Sequence, residues 1–133
     1  MRSFLLLIIL ALYGCSGRET GTTTAKDAGQ PAPIDVQSLK SLRDVFSTLD
    51  QQLPMETKNA IASCATPFDT IKFHGNLGMW MRNNLGFWGD APFKAKFLDE
   101  GIGHPDEMSG LTLRLYWAYL IGQGYPKYGL MPN

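Results

Sequence analysis

From residue 34 onward, apolar side chains recur at the spacing of an amphipathic helix. Leu39, Leu42, Val45, Phe46, Leu49 and Leu53 project onto one face, with Lys40, Arg43, Asp44 and Asp50 largely elsewhere. Asp35 or Ser38 is expected to cap this helix, and Pro54 to close it or to open the next. A short second helix over about 55–64 should turn Met55, Ile61 and Cys64 inward before Thr66-Pro67 breaks the chain.

The stretch 77–88 predicts a third helix, with Leu77, Trp80, Met81, Leu85 and Trp88 on one side and Gly78, Arg82 and Gly86 facing away. Asn84 falls within the apolar side, where an unsatisfied amide is costly, so it is expected to bind backbone groups where chain segments meet. Gly86 and Gly89 mark the helix end. A helix from Pro92 to about Asp99 follows, with Phe93 and Phe97 on one face and Gly101 as its stop. His104-Pro105-Asp106-Glu107 has the composition of a helix start: an early proline, then acids facing the positive end of the dipole. That helix should run to Ile121. It carries one apolar stripe at Met108, Leu111, Leu115, Ala118 and Tyr119 and a second at Leu113, Trp117 and Leu120, with Ser109 and Arg114 between them. Two stripes place it at the centre of the domain or docked on something outside. The turn-rich tail from Gly122 is expected to be irregular. The fold class is therefore all-α, a compact single domain of four to five short helices over 34–133.

Upstream the pattern changes. Arg2 precedes an apolar run over 4–12, too short for the roughly 20 residues of a bilayer span but suited to a signal-peptide core. Leu12-Tyr13-Gly14-Cys15 resembles a bacterial lipobox, which implies cleavage of 1–14 and diacylglycerol in thioether linkage on Cys15. Buried acyl chains make such an anchor stable once two or three are present. Ser16 rather than Asp after the cysteine points to the outer membrane, with the domain facing the periplasm or the cell surface. Residues 16–33 hold four Thr, three Gly, three Ala and two Pro but no aromatic or large aliphatic side chain, so 15–33 reads as a flexible linker. Its span as a coil is about 20–25 Å.

Charge narrows the function classes. The 12 basic residues balance 12 acidic ones, and loss of Arg2 with a leader leaves a slight acidic excess, which argues against nucleic acid as a partner. Two cysteines make no disulfide scaffold.

Leu77-Gly78-Met79-Trp80-Met81-Arg82-Asn83-Asn84, then Gly86, Trp88, Phe97, Gly101-Ile102 and His104-Pro105-Asp106-Glu107-Met108-Ser109, resemble the bacterial domain of unknown function 6794 family over about 38–121. The family commonly has Trp where this chain has Leu85, and Asp-Asp where it has Asp106-Glu107. The resemblance implies a small, mainly helical unit and supplies no activity, cofactor or catalytic residue.

The candidate binding or structural residues are Trp80, Arg82, Asn83, Asn84, Trp88, His104, Asp106, Glu107 and Ser109. His74, His104, Asp106 and Glu107 are suitable types for a metal site or an acid/base pair, but their spacing matches no two-histidine helix motif, and no cofactor is expected. Arg82 is expected to bridge to Asp106 or Glu107 rather than to grip a ligand. Cys64 reads as a small buried hydrophobe. Seven aromatic residues between Phe68 and Phe97 suit a core, or an exposed patch for an envelope protein or glycan. The preferred reading is a non-enzymatic binding or accessory domain on a lipid anchor. The alternatives are a small envelope hydrolase using His104 with Asp106 or Glu107, and a toxin-neutralising protective protein.

Overall fold

The computed structural model describes residues 32–122. The expected leader, Cys15, nearly all of the 15–33 linker and the tail from 123 lie outside the described residues. Within them the chain is all-α, with five α-helices and no strand. These are α1 (Leu42–Gln52), α2 (Met55–Ala62), α3 (Met79–Asn84), α4 (Lys94–Asp99) and α5 (Pro105–Leu120). Short 3-10 segments at Val36–Ser38 and Pro67–Phe73 and a π-turn at His74–Gly78 complete it.

The first helix starts later than its periodicity suggests. Ser41 caps it: the hydroxyl accepts from the Asp44 N–H, and the Asp44 carboxylate accepts in return from the Ser41 N–H at 2.8 Å. Asp35 caps the preceding 3-10 turn instead, accepting from the Gln37 N–H. The Leu39 carbonyl takes the Phe93 N–H at 3.0 Å, a long-range bond that separates that turn from α1. Partial burial works against the Asp44 charge, but hydrogen bonds from Ser41 and Lys40 and the Lys40 charge outweigh it and hold the carboxyl below its ordinary pKa.

Helix α5 is the centre of the domain. Met108, Leu111, Leu115 and Ala118 of one stripe and Leu113 and Trp117 of the other are all buried, and Leu120 is half-buried against the core. The second stripe is therefore covered by the chain itself, and no exposed docking patch forms from Leu113, Trp117 and Leu120. Trp117 Nε1 donates to the Cys64 carbonyl at 3.0 Å, and Cys64 is buried as expected. The hydroxyls of Tyr116 and Tyr119 donate to the two carboxylate oxygens of Asp50 at 2.8 and 2.7 Å, tying α5 to α1. Helix α2 contributes Ile61 to the core but not Met55, which is 65% exposed.

Around α3 the expected register holds only in part. Leu77, Met81 and Leu85 are buried and Trp80 is half-buried. Gly86 has φ +76°, which ends the helix and sends Phe87 inward to meet Phe93 edge-on at 5.1 Å, so that Trp88, projected inward by an unbroken helix, is 62% exposed. Asn84 is exposed, and its Nδ2 donates to the Trp80 carbonyl of its own helix at 2.8 Å rather than joining separate segments. Gly78 is buried, not outward-facing: a Cβ there would stand 2.7 Å from the His74 ring.

Candidate functional site

The two signature stretches meet where the π-turn and α3 lie against the start of α5. His104 caps α5, its Nδ1 accepting from the Asp106 N–H at 3.1 Å, and Pro105 occupies the first helical position, where no N–H is needed. This cap projects the Asp106 carboxylate toward Arg82, whose Nη1 approaches Oδ1 at 3.0 Å. The same Nη1 donates to the buried Ser109 hydroxyl at 2.8 Å, and Ser109 donates to the Asp106 carbonyl at 2.9 Å. The expected bridge between the stretches is thus present, with Asp106 rather than Glu107 as its acid.

His74 joins from the π-turn. Its Nε2 lies 3.1 Å from the Asp106 carbonyl, 3.3 Å from Ser109 Oγ and 3.2 Å from Arg82 Nη1. Arg82 Nη1 also meets Ser109 Oγ and Asp106 Oδ1, so one ring nitrogen, one guanidinium nitrogen, one hydroxyl and one carboxylate converge on the first turn of α5. A serine–histidine–acid relay needs the serine and the acid on opposite ring nitrogens. Here both meet Nε2, and the Ser109 proton is already committed, so the arrangement is chemically a clasp. Close approach of the His74 ring is what Gly78 permits.

The other sequence candidates disperse. Asn83 and Glu107 are exposed, and Trp80 packs against the core. Trp88 stands edge-on to His104, ring centroids 6.2 Å apart. The His104 bond is to the Asp106 backbone, so the acid/base pairing considered for His104 with Asp106 or Glu107 is not assembled. Among the described residues no group of three His, Cys, Asp or Glu side chains gathers as a metal would require.

An open apolar surface lies beside the clasp. Phe68 and Ile71, 70% and 68% exposed, stand on the 3-10 segment, where residues three apart eclipse one another. With Thr70, His74, Gly110, Leu113 and Arg114 they line an open depression of about 290 Å³. A second depression of about 310 Å³, lined by Ile102, Glu107, Leu111 and Arg114, shares Arg114 with the first. The Arg114 guanidinium lies over the Phe68 ring at 5.6 Å, and its Nε donates to the Gly110 carbonyl. The sequence signals for this face were Arg114 between two apolar stripes and Phe68 at the head of the aromatic run, read as core or as an exposed patch; the 3-10 segment has no helical or strand period to betray Ile71.

No curated protein and no solved structure matches the chain. A family model does match, that of Domain of unknown function (DUF6794), over residues 40–120, a span containing the clasp and both depressions. The chain belongs to this family.

Proposed function

We propose that this protein is an exported lipoprotein, anchored through Cys15, whose helical domain acts by binding rather than by catalysis, and that the trough beside Arg114 is its binding face. One observation carries the reading. Phe68 and Ile71, two large apolar side chains that folding would ordinarily bury, stand out from a concave surface that also holds a cation. The clasp supports it by giving His74, Arg82, Asp106 and Ser109 a structural task. The leader-like run over 4–12 and the lipobox-like sequence ending at Cys15 support the anchor.

The test is site-specific photo-cross-linking in living cells. The full chain carries a photoreactive phenylalanine analogue at position 68, and a control chain carries it at the exposed position Glu100. A discrete adduct from position 68 and none from position 100 is the expected result. Identical patterns from both positions would remove the trough from consideration as a binding face.

A further inference from the structure

The trough is described by three facts beyond its exposure. First, Gly110 lies in the wall of the first depression, inside α5, where glycine is a poor helix former. The nearest atoms to a Cβ at this position would be two of the His74 ring, at 3.7 and 3.9 Å, and an Arg114 nitrogen at 4.0 Å, all ordinary contacts. The fold does not require glycine there, in contrast to Gly78 and Gly86. What glycine leaves is a half-buried stretch of helix backbone in the wall of an open depression, bare of any side chain of its own.

Second, among the described residues no carboxylate pairs with Arg114; both recorded ion pairs belong to Asp106. Its Nε bonds within α5 and its face rests on Phe68, which leaves the Nη groups available for a planar acceptor. Third, Arg114 stands between two open depressions of similar size rather than at the mouth of one enclosed cavity. One small molecule would occupy one depression, whereas a segment of polypeptide presenting two large side chains would fill both. Glu107 lines the second depression, so an incoming acid is directed to the Arg114 position between them.

We propose that the occupant of the trough is an acidic segment of a partner protein, with large apolar side chains entering the depressions on either side of Arg114 and a carboxylate pairing with its guanidinium. This identification rests on the binding reading above and deepens it.

A random peptide library displayed on phage and selected on the immobilised full chain tests it. Enriched peptides are expected to combine large apolar residues with Asp or Glu. Arg114→Gln should weaken the best of them about tenfold, the loss of one charge-assisted bond. Gly110→Leu should abolish binding. Gly110→Ala guards against misfolding: it should raise the thermal midpoint while weakening the peptide, a combination that a purely structural glycine does not give. Failure to enrich any peptide, enrichment of peptides without acids, or indifference to both Arg114→Gln and Gly110→Ala would overturn the proposal. Phe68-dependent binding to phosphatidylglycerol vesicles without peptide binding would also overturn it, by making the face a lipid-docking surface. The cross-linking result from position 68 is read separately: an adduct there alongside failed peptides leaves the binding face standing and removes only its acidic occupant.

Discussion

Arg82 and Asp106 are 24 positions apart in the chain and 3.0 Å apart in space, one ending α3 and the other opening α5. The guanidinium side is the more enclosed, with the Arg82 side chain 13% exposed against 51% for Asp106. That asymmetry sets unequal consequences for the two partners.

Arg82→Ala removes the ion pair and, with it, the short charge-assisted bond to the buried Ser109 hydroxyl, so a loss of about 1–3 kcal/mol is expected. Asp106→Asn removes only a half-exposed charge and should cost about 0.2–1 kcal/mol. Urea unfolding of both single variants and the double variant measures this. Strictly additive losses would show that the two side chains do not act together.

Burial, followed by the hydrogen bond to Asp50 and its charge, pushes the Tyr116 phenol well above the usual tyrosine range. A group whose pKa is raised by folding contributes stability that is whole below its unfolded value. That contribution falls away as the pH rises past it, here from about pH 10 upward. Thermal midpoints should therefore decline on the alkaline side, and Tyr116→Phe should flatten that decline. Parallel curves for the two proteins would contradict the assignment.

Two glycines should respond to alanine with opposite signs. At Gly110 the added methyl finds only ordinary contacts, and the gain in helix propensity should stabilise the domain by about 0.5–1 kcal/mol. At Gly86 the backbone is left-handed and a Cβ would collide with Val36, so Gly86→Ala should destabilise by more than about 1–2 kcal/mol. Denaturation midpoints of the pair decide the matter, and stabilisation at both positions would refute the account of Gly86.

The proposed anchor has its own test. Cys15→Ala should move the protein from the membrane fraction to the soluble fraction after cell disruption, because two or three acyl chains supply the attachment. Unchanged membrane association would sever Cys15 from localisation.

What the sequence determined by itself was the local plan: an all-helical chain, the start of α5 at His104-Pro105, the buried Phe93 and Phe97 pair, and a bridge from Arg82 to the acids of the second stretch. Each follows from spacing along one segment or from the need of a charge for a partner. Tertiary structure decided which surfaces stayed open. The second stripe of α5 vanished beneath its neighbours, Trp88 turned outward once Gly86 ended the helix, and Asn84 bonded within its own turn. His74 entered the clasp from a π-turn that no period announces, and Phe68 and Ile71 came to face solvent from a 3-10 segment. The reason is physical: helical period depends on residues a few positions apart, whereas burial depends on which distant segments arrive to cover a face.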